Sequence, residues 1–307
     1  MSQSYCPSLY QIDTRLWTAK LSEEKGGPIT LDDIPNSELD KLCRSGFQWI
    51  WLTNIWQTGS DLRAADEVAR FAISCYQVDE QLGGDPALCR LRERLQDRGL
   101  KLALDFEANH SALDHEWVKK FPDYYVRGNE TLLTTDPGNY IKINNGSGEV
   151  ILAHGRNPFF PGWPATAQLN YGNPSLQEAM MNELVKVAGQ CDGVHCDIPM
   201  LVLPGVFEQT WGIHCKPFWP IAIKRVKEIN PEFRFMSEVY WDQEGIILQQ
   251  QGFDYTYITN DDMIVGGGLS KASEMTFIER SVIVQEPNFK DLKTIKINYL
   301  IPRANAC

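Results

Sequence analysis

Gly193-Val194-His195-Cys196-Asp197 is the stretch on which the fold turns: a short apolar run closed by an acid. Two other runs have the same form, Leu102-Ala103-Leu104-Asp105 and Phe233-Arg234-Phe235-Met236-Ser237-Glu238. Short runs this apolar read as strands buried on both faces. If they are parallel neighbours in an α/β barrel, their terminal acids converge on one end, where such barrels carry their chemistry. Asp197 and Glu238 would then be paired carboxyl groups, one ionised and one protonated, which is what cleavage of a glycosidic bond requires.

Working outward, strand-like and helix-like segments alternate. Leu9-Tyr10-Gln11-Ile12, Phe47 to Leu52 and Leu100 to Phe106 read as the first three strands; Phe253-Asp254-Tyr255-Thr256 is a candidate sixth. Between them, 32–42, 86–98, 175–188 and 219–229 have helical periodicity, the third led by Asn173-Pro174-Ser175 as a start signal. Repeated βα units predict a parallel sheet. The stretch from Ser111 to Tyr171 breaks this rhythm with Asn, Gly, Pro and aromatic residues. The domain reading is therefore a barrel begun by residues 1–110, an irregular subdomain at 111–171 inserted after the third strand, and a barrel continued by 172–307. The tail from about 266 is irregular, with one strand expected at Ile295 to Ile301.

Composition narrows the function classes. Of the 307 residues, 43% are apolar and 22% charged, the profile of a globular enzyme. The net charge of -11, without a Lys/Arg cluster, argues against nucleic acid or an anionic membrane as partner. The N-terminal residues have no basic-then-apolar leader pattern. The eight cysteines are scattered, without Cys-x-x-Cys, and read as free thiols. These features lead us to expect a cytoplasmic protein acting on a neutral ligand.

With these residues in view, the chain resembles the α-amylase superfamily, glycoside hydrolase family thirteen, from Tyr10 to about Tyr257. Tyr10-Gln11-Ile12 and Ile50-Trp51-Leu52 are similar to its first two strands. Asp105-Phe106-Glu107-Ala108-Asn109-His110 matches an Asp-x-x-x-Asn-His segment, and Gln168-Leu169-Asn170 the end of an inserted subdomain. Gly193 to Asp197 and Glu238 match the nucleophile and acid/base strands. Three features differ. His195 stands where the family has Arg, and Cys75-Tyr76 where it has Gly-Tyr. No histidine lies beyond His214, so the His-Asp pair of the seventh strand is absent. The resemblance thus implies an incomplete (β/α)8 TIM-type barrel, a copy truncated or rearranged before its last strands.

The resemblance implies a glycosidase: a retaining glycoside hydrolase or transglycosidase of carbohydrate metabolism, acting on α-glucans or α-glucosides. Asp197 would be the nucleophile and Glu238 the acid/base. His110, His195, Asp105 and Tyr76 would bind substrate, Tyr76 as a ring platform for the sugar, with Trp163 and Trp211 as further platforms. No cofactor is required; calcium is the one ion the resemblance allows, with Asn109 as its ligand. The expected partner is an oligosaccharide or α-glucan. Because the second Asp and the Arg are missing, weak activity is expected, the alternative being a catalytically degenerate member that only binds sugar.

Overall fold

A computed structural model describes residues 8–60, 71–146, 148–258, 281–285 and 296–302. In chain order the elements begin β1 (Leu9–Asp13), α1 (Thr14–Lys25), α2 (Asn36–Arg44), β2 (Trp49–Thr53), β3 (Trp56–Thr58), β4 (Ile73–Val78), α3 (Gly84–Gln96), β5 (Lys101–Glu107) and β6 (His110–Ala112). Next come α4 (Glu116–Lys120), α5 (Glu130–Thr135), β7 (Tyr140–Asn144), β8 (Glu149–Ala153), β9 (Thr166–Gln168) and α6 (Pro174–Ala188). The last are β10 (Gly193–Asp197), α7 (Pro204–Trp211), α8 (Trp219–Ile229), β11 (Arg234–Val239), α9 (Asp242–Gln251), β12 (Tyr255–Ile258), β13 (Ser281–Gln285) and β14 (Lys296–Pro302).

The helices start where the chain supplies caps. The Asp13 carboxylate accepts from Leu16 N at 3.1 Å and opens α1, an element without a clear sequence signal beyond its buried Trp17 and Leu21. Asn173 caps α6 in the same way through Ser175 N, with Pro174 in the first turn. Among the described residues no helix is long and apolar enough to cross a membrane.

Eight strands close a ring in the order β1, β2, β5, β10, β11, β12, β14, β13 and back to β1. From β1 to β12 every pairing is parallel, the α/β pattern expected from the strand-end acids. The remaining arc departs from it. β13 lies parallel to β1, whereas β14 runs antiparallel between β12 and β13. The barrel is therefore incomplete as a regular (β/α)8 array, but its edges are not left open. The tail contributes two strands, where only the second was expected. Unpaired N–H and C=O groups on β1 and β12 would be edges open to other chains, and tail pairing satisfies them.

Alternation along each strand separates two apolar populations. Leu102, Leu104, Phe106, Val194, Cys196 and Phe235 face the surrounding helices and belong to the main core. Leu9, Trp49, Trp51, Ala103 and Met236 form a second cluster inside the ring. Trp49 fits this interior because a neighbouring position carries no side chain. A Cβ on Gly193 would stand 2.9 Å from the Trp49 ring and 2.7 Å from the Arg234 carbonyl oxygen. We expect Gly193→Ala to lose about 1–3 kcal/mol of stability through overpacking, read as a lower denaturant midpoint; an unchanged midpoint would mean the interior has slack.

Between β5 and α6 the chain builds the wall beside the barrel mouth. β6 pairs antiparallel with β9, setting His110 opposite Gln168, and β7 and β8 form a hairpin. On the helical side, Arg92 of α3 donates to the Cys191 carbonyl at 2.8 Å and to Asp192 at 2.7 Å. Asp192 in turn accepts from Leu102 N at 2.8 Å. This chain of bonds ties the start of β10 to β5 and so fixes the register that places the acids.

Candidate active site

The inward positions at the C-terminal ends of β5, β10 and β11 are Asp105 and Glu107, His195 and Asp197, and Glu238. The register sets His195 beside Asp105 and Asp197 beside Glu107. Strand geometry alone therefore brings four of the residues expected at the site, Asp105, His195, Asp197 and Glu238, into one group. It adds a fifth, Glu107, to which the sequence reading gave no role. The signal for Glu107 was available: it lies two residues beyond Asp105 on one strand, and positions two apart share a face.

The lower layer of the group is a hydrogen-bonded chain. Asp105 Oδ1 accepts from Trp51 Nε1 at 2.7 Å and lies 3.1 Å from His195 Nδ1. The His195 ring packs on Trp51 with centroids 3.9 Å apart, and its Nε2 faces Glu238 Oε2 at 3.9 Å. Burial raises the Asp105 carboxyl above the usual range, opposed by its bond to His195. The upper layer is three carboxyl groups. Asp197 reaches both Glu107 and Glu238, and both glutamates are raised well above the ordinary carboxylate range, first by burial and then by Asp197. The Tyr240 hydroxyl approaches Glu238 Oε1 at 3.4 Å and opposes that rise. A buried carboxyl held protonated beside a second carboxyl is the arrangement that general-acid catalysis needs.

Asp197 opens onto a cleft of about 180 Å³ whose walls include His110, Trp163, Ile198, Met200 and Tyr240. Ile198, directly after Asp197, adopts a left-handed conformation at φ 34°. For a β-branched residue this costs about 1–3 kcal/mol, and strain of that kind at the acid's own turn is a mark of functional sites. His110 is buried, both ring nitrogens lack a partner of good geometry, and burial lowers its imidazole to about 4. Its ring lies 5.3 Å from that of Trp163. A neutral imidazole with unpaired nitrogens on a cleft wall is equipped to bond a ligand hydroxyl.

Other residues expected at the site lie outside the cleft. Tyr76 is buried with its ring stacked on Phe106 at 5.2 Å, and its hydroxyl bonds the Glu107 backbone N–H and C=O, each at 2.9 Å. It braces the third strand end and offers no free face to a sugar. Asp105 and His195 are occupied with one another beneath the carboxyl layer. Trp211 closes α7 with the Arg156 guanidinium 4.8 Å over its ring. Asn109 does not fit a calcium ligand: its Oδ1 accepts from Gln168 Nε2 at 3.0 Å and its unpartnered atom is the donor Nδ2. Among the described residues no His/Cys/Asp/Glu cluster could hold a metal ion.

Comparison with known proteins agrees with this geometry. The family described as alpha amylase, catalytic domain, matches residues 31–245. The chain is 27% identical over 190 residues to the amino acid transporter heavy chain SLC3A1 of Rattus norvegicus, covering 58% of this chain and 26% of that protein. It is 30% identical over 162 residues to maltase 1 of Drosophila virilis, covering 47% and 24%. The matches thus span about a quarter of these relatives' length. An alpha-amylase structure from Lactobacillus plantarum superposes with a TM-score of 0.55 at 19% identity, covering 80% of this chain and 48% of that one, which supports the fold. By sequence match and by fold, the chain belongs to the family of alpha-amylase catalytic domains.

Proposed function

We propose that this domain cleaves α-glucosidic bonds with retention, Asp197 attacking the anomeric carbon and Glu238 protonating the leaving oxygen. Water then hydrolyses the glycosyl-Asp197 ester with Glu238 as base. The observation that carries this reading is Asp197 on the cleft wall beside a buried Glu238, whose carboxyl is raised well above the ordinary range by burial and by Asp197. His110 would bond a hydroxyl of the bound sugar, and the Trp163 ring would pack on its C–H face. The substrate class, an oligosaccharide or α-glucan, is supported by similarity to proteins named maltase and alpha-glucosidase. We read residues 111–171 as the subdomain that walls the cleft, between two parts of the barrel. The six free thiols among the described residues support a reducing compartment such as the cytoplasm.

Turnover should be low. His195 replaces the arginine that the family resemblance leads one to expect, and it is occupied by Asp105. Loss of one such preorganised contact costs about two orders of magnitude, which leaves about 10⁻² of an ordinary relative's rate. Kinetics on a maltooligosaccharide and on an aryl α-glucoside test this. Turnover comparable with ordinary amylases would mean that another group supplies the missing stabilisation. A second reading, a domain that binds sugar without cleaving it, is favoured by the similarity to a transporter heavy chain. It predicts calorimetric binding of maltooligosaccharide with no product and no effect of Glu238→Gln.

A further inference from the structure

Glu107 is the one carboxyl of the upper layer that the proposed chemistry leaves unused. It is 2% exposed, and its Oε2 has no hydrogen-bond partner. Among the described residues, the groups that face it are acidic or neutral. Asp105 comes from its own strand, Asp197 from β10, and Glu238 from β11. From β4, the Tyr76 hydroxyl is already bonded to the Glu107 main chain. The nearest base, His195, has Nδ1 on Asp105 and Nε2 toward Glu238.

An ionised Glu107 would be an unpaired buried charge beside other acids, the costliest state a carboxyl can take. Protonated, it becomes a donor, and across the β5–β10 pairing its register partner is Asp197. A bond to the charged form favours that form.

We propose that Glu107 is a positioning residue whose protonated carboxyl donates a hydrogen bond to Asp197, so that the nucleophile carries the charge of the cluster. The proposal rests on the glycosidase reading for its effect on rate. During glycosylation the proton stays on Glu107 while the Asp197 oxygen forms the bond to the anomeric carbon. When water cleaves the ester, the same hydrogen bond stabilises the departing Asp197 carboxylate.

The test compares Glu107→Gln, which keeps an N–H donor, with Glu107→Leu, which keeps the bulk and loses the donor. Glu107→Leu should lower kcat by about 10²-fold and move the acid limb of the rate profile to higher pH. Glu107→Gln should recover most of that rate, with the acid limb unmoved. Glu107→Leu should melt no lower than the parent, because it relieves a buried polar group. Carboxyl carbon NMR of the labelled full chain should find Glu107 protonated at pH 7. Glu107 ionised at pH 7, equal damage in the two variants, or no effect of Glu107→Leu would each overturn the proposal. A parent with no turnover would instead sink the glycosidase reading, and NMR would then decide alone: the Asp197 carboxyl signal must move in Glu107→Leu and stay in Glu107→Gln.

Discussion

Asp197→Asn should abolish hydrolysis on every substrate, a loss on the order of 10⁴-fold or more, the scale on which removal of one member of a catalytic unit acts. An amide cannot attack the anomeric carbon to form the glycosyl ester, so a better leaving group cannot compensate. Asparagine matches the carboxyl in size, and Asp197 is only half-buried at the cleft wall, so folding should survive. Removing its charge should also ease the protons on Glu107 and Glu238, because the Asp197 charge helps hold both on. The measurement is turnover of an activated aryl α-glucoside beside the parent, with the thermal midpoint as a folding control. Residual turnover that scales with leaving-group quality would assign the nucleophile to another group, with Glu107 the nearest.

What made the site legible in the sequence was the coincidence of two periodicities. An acid closing an apolar strand gives the position, and parallel pairing gives the convergence; Asp105, Asp197 and Glu238 carried both signals. Glu107 carried the same inward parity, but it sits inside a motif read as a unit, and burial of a second acid on one strand is not written in local pattern. Tyr76 misled for the opposite reason. A tyrosine near a strand end is suited to stacking on sugar, and only the packing against Phe106 reveals that its face is taken. The tail was half legible. Lys296 to Pro302 alternates toward its apolar end, whereas Ser281-Val282-Ile283-Val284-Gln285 is a β-branched run too short to stand out from irregular flanks. That β14 runs antiparallel was not legible at all, because direction is set by ring closure. The reading of an incomplete (β/α)8 barrel therefore held: the arc from β1 to β12 is regular and parallel, and the closing arc is not.

Glu238→Gln should separate the two carboxyl roles. Loss of the general acid should cost about 10²–10⁴-fold on a maltooligosaccharide, whose leaving sugar needs a proton. It should cost far less in the first step on an aryl α-glucoside with an acidic phenol, which needs none. The pH profiles should differ as well. Glu238 must hold its proton to act, and burial together with Asp197 raises its carboxyl well above the ordinary 4.5. Parent activity should therefore persist above the ordinary carboxylate range and fall as pH rises through the raised value. In Glu238→Gln that alkaline limb should vanish. Stability follows the same proton. Above pH 4.5 the unfolded chain has released it and the folded chain has not, so the native state binds more protons and loses stability as pH rises through the folded value. His110 works in the other direction. Its imidazole is lowered to about 4 from 6.5, so the unfolded chain binds the extra proton and stability rises with pH between those values. Above pH 6.5 only the carboxyl contribution remains, and there Glu238→Gln should melt higher than the parent while below pH 4.5 the two converge. Parallel melting curves for both proteins at every pH would mean that Glu238 ionises in the folded protein as it does in the unfolded chain, and the assignment of a protonated acid would fall with it.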